Sequence, residues 1–509
     1  MNVNSRQRVR LLLLVVWAVV LAPVQGQINR ITVDYDAPSG AAEGVTTYSP
    51  GNEIIREADG SVTVAYTRNR VFGGGGAGFA YLARSLDAGA HWSFVRAESF
   101  ANASRVECLI RLPAGGYALS LLNDSRAFVN RSTDGLNWLP LTSTAETGRV
   151  YPLASTILTF GTALDVDASG TQHLAYTRTF EAGDKPFNIG YRSSKDGGTT
   201  WSEEVNLTGI PHDFNTQGFG ALYPTLTTGP GGRVFIAFSH WYRTNIVTAT
   251  ATNVVQYNIP EMTVFDGTRW LPPQPVGDIS IGWYSYPTLC TDAAGNLHIA
   301  HVQHPAQNAA GRVIYRQMPR GGLAMTDPIL VSPASNNVAN LSMGVFENDS
   351  VVIAWDDYDT AGSAYRGIYA AGSPDGFQRN IAVSTPGSIA RNPSVRRRLG
   401  AFNAPAKMDV AWVENDIVTD PNLRFDRLMY ADLGPVLPRA VSVSLQRKGG
   451  GAELQFTGVN GRAYQVQSSS NLSIWAALGG TVTASGKAVA IPVTLGAAAA
   501  YYRVADVTP

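Results

Sequence analysis

The chain has 509 residues, of which 45% are hydrophobic and 15% charged, and it contains 51 glycines and 28 prolines. Basic and acidic residues number 39 each, so no net charge exists to attract a nucleic-acid backbone or an anionic membrane. Few charges and many glycines suit short strands joined by turns, so we expect an all-β protein that does not bind nucleic acid.

The N-terminal segment has the pattern of a signal peptide. Three arginines between positions 6 and 10 precede the apolar run LLLLVVWAVVLA, and PVQG then supplies the small residues of a cleavage site. The run covers residues 11–22, short of the roughly 20 residues that span a bilayer, and an uncleaved anchor is the alternative. We expect residues 1–26 to be removed, no later membrane span, and a secreted or periplasmic protein.

An apolar alternating run that follows a turn recurs seven times. Six copies place an alanine at one corresponding position, and the second copy has Leu121 there. The alanines are Ala65, Ala175, Ala237, Ala300, Ala354 and Ala411. Their spacing of 54 to 63 residues matches one four-stranded sheet per repeat. Each copy follows a short apolar stretch such as YPTLTTG, which together with it predicts a β-hairpin.

A second motif falls where the second hairpin of a repeat should turn. It reads SLDAGAHW at 85–92, STDGLNW at 132–138 and SKDGGTTW at 194–201. The aspartate carboxylate can accept backbone N–H groups, glycine supplies a positive φ, and tryptophan packs against the sheet. We therefore interpret Asp87, Asp134 and Asp196 as structural rather than catalytic residues.

Cysteine usage and the C-terminal segment complete the outline of the chain. Cys108 and Cys290 are too few for a disulfide scaffold, and we expect both to be buried thiols in different repeats. Residues 439–509 contain alternating runs such as AELQFTG and AYQVQSSS, which predict a small C-terminal β-sandwich. This segment is similar to accessory domains of secreted bacterial enzymes, which implies a role in stabilisation or surface attachment.

The pattern of Ser85, Asp87, Gly89 and Trp92, repeated from Ser194 to Trp201, resembles the Asp-box or BNR repeat of sialidase-like β-propellers. The resemblance implies a seven-bladed β-propeller over residues 27–436. Asp-box propellers include sialidases, other glycoside hydrolases, polysaccharide lyases and binding modules, so the fold leaves the reaction open.

The first predicted strand departs from the sialidase pattern. Sialidases carry an Arg-Ile-Pro segment there, whereas this chain has Asn52 and Glu53. Arg70 resembles the arginine that closes the next strand in sialidases, but the following VFGGGGAGF contains no acid. The resemblance thus implies a sialidase-like glycoside hydrolase with a substrate other than ordinary sialosides.

Topology predicts where a site lies. The glycine turns and the serine–aspartate turns share one edge of the sheets, so first-strand starts and second-strand ends share the opposite edge, where ligands usually bind. The candidate catalytic residues on that edge are Asp356, Asp357, Glu414, Tyr242 and His240. The candidate substrate-binding residues are Arg68, Arg70, Arg178, Arg243, Tyr223 and Tyr286.

Three functions stay open at this point. A glycoside hydrolase would use two of the carboxyl groups, and a polysaccharide lyase would use Tyr242 or His240 as base with Arg243 neutralising a uronate. The third is a propeller that binds a glycan or protein without catalysis. We expect a monomer with a glycan partner and no cofactor. No metal site is predicted, because His298 and His301 in one strand project to opposite faces.

Overall fold

The computed structural model describes the chain in segments, and the statements below concern these residues alone. They are residues 28–37, 53–69, 78–98, 104–123, 126–139, 159–180, 186–211, 220–247, 252–281, 285–306, 309–333, 337–346, 350–358, 365–377, 379–396, 408–415, 426–434, 443–448, 451–457, 463–469, 476–483, 488–493 and 501–506. The expected signal peptide and Arg70 lie outside them.

The prediction of an all-β chain is confirmed for the described residues. Their only helical elements are two 3-10 turns, Pro230–Gly232 and Ser373–Asp375. No helix in this part of the chain has the length and apolar character that crossing a membrane requires. The chain divides into two compact units, the larger covering Gln27–Ser373 and Phe377–Leu437 and the smaller containing Pro438–Pro509.

The larger unit contains seven antiparallel sheets in its described residues, and consecutive strands pair in hairpins. The first strand, β1 (Ile31–Ala37), belongs to the seventh sheet. Sheet 1 contains β2 (Ile54–Arg56), β3 (Val62–Asn69), β4 (Gly78–Ser85) and β5 (Ser93–Arg96). Sheet 2 contains β6 (Ser104–Arg111), β7 (Tyr117–Asn123) and β8 (Arg126–Ser132). Sheet 3 contains β9 (Thr159–Val166), β10 (Gln172–Arg178), β11 (Asn188–Ser194) and β12 (Val205–Asn206).

Sheets 4 to 7 follow in the same order along the chain. Sheet 4 contains β13 (Gly220–Thr228), β14 (Val234–Val247), β15 (Thr252–Phe265) and β16 (Gln274–Pro275), and β17 (Ser280–Ile281) also pairs with β15. Sheet 5 contains β18 (Thr288–Thr291), β19 (Leu297–Gln303), β20 (Arg312–Met318) and β21 (Ile329–Leu330). Sheet 6 contains β22 (Asn337–Phe346), β23 (Ser350–Tyr358), β24 (Tyr365–Gly372) and β25 (Ile381–Ala382). Sheet 7 contains β26 (Ile389–Val395), β27 (Asp409–Asn415), β28 (Asp426–Asp432) and β1.

The sheets pack on one another in sequence order. A hydrophobic cluster lies between each successive pair of sheets, from sheets 1 and 2 to sheets 6 and 7. A further cluster, which includes Val64 and Ala411, lies between sheet 7 and sheet 1. The six repeat alanines are fully buried in the second strands of their sheets. A small side chain there lets neighbouring sheets approach closely.

The three serine–aspartate turns share one hydrogen-bond pattern. Ser85 Oγ donates to Asp87 Oδ1 over 2.8 Å and accepts the Gly89 N–H at 2.7 Å, while Asp87 accepts the His91 N–H at 2.8 Å. Asp134 and Asp196 accept backbone N–H groups in the same way. The backbone hydrogen bonds predicted for these turns are therefore confirmed.

The smaller unit contains two sheets in its described residues. One contains β29 (Val443–Lys448), β30 (Gly451–Thr457) and β34 (Ala488–Val493). The other contains β31 (Ala463–Ser469), β32 (Ala476–Ala477), β33 (Val482–Thr483) and β35 (Tyr501–Asp506). Leu454 and Phe456 of the first sheet share a hydrophobic cluster with Tyr464 and Val504 of the second.

Sheet 7 joins the two ends of the larger unit. Strand β1 pairs antiparallel with β28, with Ile31 opposite Tyr430, so the N-terminal strand completes the sheet that residues 389–432 begin. The repeat pattern in the sequence did not include this strand. Cys108 and Cys290 are buried free thiols, as predicted.

A buried cluster of charges joins sheet 7 to sheet 1. Asp409 of β27 accepts two hydrogen bonds from the Arg56 guanidinium, at 2.5 and 2.9 Å, and one from the Tyr430 hydroxyl at 2.5 Å. The Arg396 guanidinium lies 2.9 Å from the same carboxylate. Burial raises the pKa of Asp409, but the Arg56 hydrogen bond and the Arg396 and Arg56 charges outweigh it and lower the pKa below its usual value.

Replacing Asp409 by alanine should destabilise the protein by about 3–5 kcal/mol, because two buried guanidinium groups lose their shared counter-ion. Urea unfolding of the Asp409→Ala variant measures this loss. The control is Asp278→Ala, which breaks a longer, mostly exposed contact of 3.8 Å with Arg316 and should cost at most about 1 kcal/mol.

The same cluster should make the protein sensitive to acid. The lowered pKa of Asp409 in the folded state means that its contribution to stability is present above about pH 4 and disappears as the pH falls further. Equal acid sensitivity of wild type and Asp409→Asn would contradict this assignment.

Candidate functional site

The upper edge of each sheet is defined here as the edge where its first strand begins and its second strand ends. Register pairs these ends directly: Ser104 lies opposite Asn123, Gly220 opposite Trp241, and Ile389 opposite Asn415. The predicted site residues from six sheets lie near this edge in sequence position. Their side chains, however, have different partners.

The third residue after each repeat alanine is a polar residue near the upper edge, and it contacts groups close to its own sheet. Arg68 lies 3.0 Å from Asp34 of β1 and over the rings of Tyr81 and Phe94. It therefore extends along sheet 1 toward β5. An arginine in this environment already has its charge compensated.

Arg178, at the corresponding position of sheet 3, is also paired. Its guanidinium lies 2.6 Å from Glu204 Oε2, donates to the Thr179 carbonyl at 3.0 Å, and covers the Phe180 ring. Glu204 accepts a hydrogen bond from the Tyr176 hydroxyl as well. The structure thus gives Arg68 and Arg178 separate carboxylate partners and does not bring the two guanidinium groups together. The side chain of Arg243 lies outside the described residues.

Asp356 connects sheets 6 and 7. It is fully buried and accepts the Asn340 N–H at 2.8 Å, the Asn340 side-chain amide at 2.7 Å and the Asn392 N–H at 3.2 Å. A carboxylate with three donors in a buried site stabilises the backbone around it. This environment differs from that of a solvent-accessible nucleophile or acid.

Asp357 and Glu414 are buried too, at 2% and 0% exposure. Glu414 accepts the Trp412 indole N–H at 2.9 Å and the Thr385 N–H at 3.2 Å, and Arg427 lies 3.8 Å away. Asp357 lies opposite Gly367 of β24 in the sheet 6 ladder. The Trp412 and Arg427 contacts thus place the Glu414 carboxylate among side chains of its own sheet.

Four sheets carry a residue with left-handed backbone at one equivalent place, within the first strand or, in sheet 5, two residues before β18. These residues are Gly161 (φ 70°), Tyr223 (φ 55°), Tyr286 (φ 37°) and Asn392 (φ 53°). Such a conformation costs a non-glycine residue about 1–3 kcal/mol and concentrates at functional sites. In sheets 4 and 7, it coincides with a β-bulge in the ladder.

The local sequence explains this backbone. Tyr223 and Tyr286 are followed by proline in the repeated segment YPTL, and Asn392 is followed by proline in NPSV. Proline has no N–H to leave unpaired where the ladder is interrupted, which is why it is tolerated at bulges. The rings of Tyr223 and Tyr286 lie 5.3 Å apart at 49° and are partly exposed.

Sheet 4 extends further at its upper edge than β13 does. Strands β14 and β15 form a continuous ladder of 14 residues each, in which Tyr242 lies opposite Tyr257 and Val247 opposite Thr252. The sequence placed Tyr242 and Arg243 at the end of a strand; the structure continues that strand through Val247. β-Branched residues such as Ile246, Val247 and Val254 on these two strands favour this extension.

His240 and Tyr242 project from the same face of β14. The His240 Nδ1 atom lies 3.1 Å from Glu261 Oε1 of β15, a close contact that lacks the geometry of a hydrogen bond. Its ring centroid is 5.5 Å from that of Tyr242, which in turn is 5.5 Å from that of Tyr257. A carboxylate therefore lies beside one ring nitrogen of the imidazole, on the strand face that also carries Tyr242.

The phenol of Tyr242 is held in its protonated form. Burial raises the pKa of Tyr242 above its ordinary value, and the neighbouring Tyr257 and Glu261 raise it further. A protonated phenol donates a proton more readily than it accepts one near neutral pH. Tyr242 thus suits the role of acid better than that of base.

The histidines of β19, and His304 directly after it, have separate environments. His298 Nδ1 lies 2.7 Å from the Tyr315 hydroxyl and its Nε2 lies 3.1 Å from Asp292. His301 is fully buried, and burial lowers its pKa to about 4. His304 Nδ1 lies 3.0 Å from the Ala309 carbonyl oxygen. Across the part of the chain that the structure describes, no group of three metal-ligating side chains is present.

Several residues of this region carried no signal in the sequence analysis. Glu261 and Tyr257 lie on the third strand, where strand register is needed to place them against His240 and Tyr242. The hydroxyls of Thr177 and Ser239 accept the N–H groups of Tyr223 and Tyr286. In the sequence, Thr177 and Ser239 can be recognised as hydroxyl residues two positions after a repeat alanine.

No protein-family model and no curated protein matches the sequence. The fold is similar to solved structures at low identity. An ulvan lyase of the polysaccharide lyases, bound to a glucuronate–rhamnose 3-sulfate saccharide, is 11% identical, covers 78% of this chain and 95% of its own, and has a TM-score of 0.49.

Two further solved structures are similar to this fold. An α-L-arabinofuranosidase of Fusarium graminearum is 14% identical, covers 70% of this chain and 99% of its own, with a TM-score of 0.46. A sialidase of Streptococcus pneumoniae is 10% identical, covers 77% and 70%, and has a TM-score of 0.39. At these scores, no residue role is transferred from any of them.

Replacing Asp356 by alanine should lower stability by about 3 kcal/mol, because three buried N–H donors lose their acceptor. The sequence analysis treated Asp356 as a catalytic candidate, and a catalytic role alone would leave folding intact. Thermal unfolding of Asp356→Ala and Asp356→Asn separates the two roles. An unchanged melting temperature in both variants would contradict the structural assignment.

Proposed function

We propose that the seven sheets are the blades of a β-propeller that acts on a glycan at its upper edge. The hydrophobic clusters between successive sheets, and the cluster that joins sheet 7 to sheet 1, support this architecture. The proposal includes export after removal of residues 1–26, action as a monomer, and residues 439–509 as an accessory β-sandwich.

We propose elimination on a uronate-containing polysaccharide as the reaction. The observation that carries it is the pair of His240, with Glu261 at one ring nitrogen, and protonated Tyr242 on the same strand face. Acid and base groups placed together in this way are the usual means of proton transfer in enzymes.

The reaction assigns one proton transfer to each residue. The neutral His240 imidazole takes the proton from the carbon next to the uronate carboxylate, and the electron pair of that C–H bond forms a carbon–carbon double bond. The bond from the next carbon to the glycosidic oxygen breaks, and the Tyr242 hydroxyl donates its proton to that oxygen. The products are an unsaturated uronate and a new reducing end.

The geometry bears on stereochemistry as well. His240 and Tyr242 are two residues apart in a strand, so their side chains project from one face. Both would approach the sugar from the same side, which favours syn elimination. Arg243 remains the sequence-based candidate for neutralising the uronate carboxylate.

Glycoside hydrolysis is the reaction that the sequence analysis put first, with Asp356, Asp357 and Glu414 as carboxyl groups. The contacts of Asp356 and Glu414 with Asn340, Asn392 and Trp412 favour a structural role for them. A screen against polygalacturonate, alginate and hyaluronan separates the functions. Unsaturated products indicate elimination, reducing ends alone indicate hydrolysis, and binding without turnover indicates a binding module.

His240→Gln and Tyr242→Phe should each lower kcat for the unsaturated product by about 100-fold or more, because each removes one proton transfer. Initial rates of ultraviolet absorbance measure the effect. The matched control is His91→Gln, a largely exposed histidine in a serine–aspartate turn, which should keep full activity. Full activity of Tyr242→Phe would exclude the phenol as the acid.

The pH dependence follows from the raised pKa of Tyr242. A proton donor with a raised pKa stays protonated at higher pH, so the alkaline fall of kcat/KM should lie at or above about pH 10. A pH–rate profile of the wild-type enzyme checks this. A fall between about pH 7 and 9 that tracks the acid would contradict the role.

A further inference from the structure

Three sheet junctions of the larger unit contain the same hydrogen bond. A hydroxyl two residues after the repeat alanine accepts a backbone N–H from a residue in, or two residues before, the first strand of the next sheet. Thr67 accepts from Val106, Thr177 from Tyr223, and Ser239 from Tyr286, each at 3.1 Å. At three junctions, the same hydrogen bond thus connects the second strand of one sheet to the start of the next sheet.

Two of these junctions differ from the third in what they hold. At Tyr223 and Tyr286 the N–H belongs to a residue in left-handed backbone, whereas Val106, which borders a β-bulge, is not in that conformation. The hydroxyl acceptors are buried: Thr177 and Ser239 are both 0% exposed. The tyrosines are partly exposed. A buried hydrogen bond therefore fixes a strained backbone that carries an accessible ring.

We propose that Thr177 and Ser239 are positioning residues for a pair of tyrosines that stacks on a sugar ring. The backbone torsion of Tyr223 and Tyr286 sets the direction in which each ring leaves the strand, and the two hydroxyls hold that torsion. The ligand is a pyranose ring of the glycan. This inference rests on the proposed function only for the chemical class of the ligand.

The arrangement of the rings suits this ligand. Tyrosine combines a flat apolar face with a polar tip, which matches the apolar face and hydroxyl rim of a sugar. The rings of Tyr223 and Tyr286 are tilted at 49° with centroids 5.3 Å apart, so they offer two adjacent contact surfaces rather than one closed stack. Tyr286 also lies beside the proposed catalytic strand, because Ser239 immediately precedes His240.

The hydroxyl of Ser239 is itself oriented. Its oxygen lies 3.0 Å from the Ser285 hydroxyl, the residue before Tyr286, so two contacts connect this serine to one turn of backbone. Removing the hydroxyl frees the Tyr286 N–H in a buried place and permits the backbone to relax toward ordinary strand geometry. The ring would then lose its fixed direction without any change in the ring itself.

Affinity electrophoresis in gels that contain polygalacturonate, alginate or hyaluronan tests this inference on the full chain. Tyr223→Ala and Tyr286→Ala should abolish retardation by whichever polymer the wild type binds. Ser239→Ala and Thr177→Ala should weaken binding about three- to tenfold, the effect of one lost hydrogen bond. The conservative variant Ser239→Thr keeps the hydroxyl and should bind like the wild type.

Thr67→Ala is the matched control, because it removes a hydrogen bond of the same length at a junction without a tyrosine. A purely structural role for all three hydroxyls would lower the melting temperatures of the three alanine variants and leave binding unchanged in each. The positioning role predicts weaker binding for Ser239→Ala and Thr177→Ala, and normal binding for Thr67→Ala.

The outcomes distinguish this inference from the proposed reaction. Retardation that depends on both tyrosines and on Ser239, without unsaturated products, keeps the positioning role and contradicts the elimination. Unsaturated products together with unchanged binding of Tyr286→Ala or Ser239→Ala contradict the positioning role and keep the elimination. A wild type that no polymer retards overturns the sugar-stacking pair.

Discussion

The pairing of β1 with β28 is the contact on which the rest of the larger unit depends. It brings together residues 397 positions apart, Thr32 and Met429, and completes sheet 7. The buried Arg56–Asp409 contact then joins sheet 7 to sheet 1. The charge cluster thus adds a directional contact to the hydrophobic packing between sheets 7 and 1.

At the upper edge, one strand position carries different polar side chains in different sheets. The third residue after the repeat alanine is arginine in sheets 1 and 3, histidine in sheet 4 and glutamate in sheet 7. In all four, a partner close to the same sheet holds the side chain. Sheets 4 and 5 are distinct because they combine a long hairpin, two strained tyrosines and a partly exposed imidazole–carboxylate pair.

The sequence predicts the sheets, but it does not predict which groups contact the candidate site residues. The repeat alanines and the serine–aspartate turns are local patterns with fixed offsets, so they indicate strands and turns directly. Partners of Asp356 or Arg178 come from other strands, and their identity depends on register, which a one-residue shift reverses. The contribution of β1 to sheet 7 has no local signal, because a single strand resembles any other.

The candidate residues show the same division. Tyr223 and Tyr286 were found because YPTL occurs twice at the start of a predicted strand. Only the structure shows their left-handed backbone and the hydroxyls that bond to it, because the sequence YPTL does not distinguish a strained tyrosine from an ordinary one. Likewise, His240 and Tyr242 were visible as residue types, whereas Glu261 became relevant only through its position across the ladder.

Strand β28 is the last strand of sheet 7 to be synthesised, and this order affects how the protein folds. Strand β1 is synthesised before its partner β28, which lies nearly 400 residues further along the chain. Closing a loop of this length costs about 5 kcal/mol in chain entropy, beyond a constant term. Contacts so distant in sequence also form slowly. Until synthesis passes residue 432, the nascent chain therefore holds an unpaired β1 and an incomplete last sheet, and any earlier stop leaves both edges open to other chains.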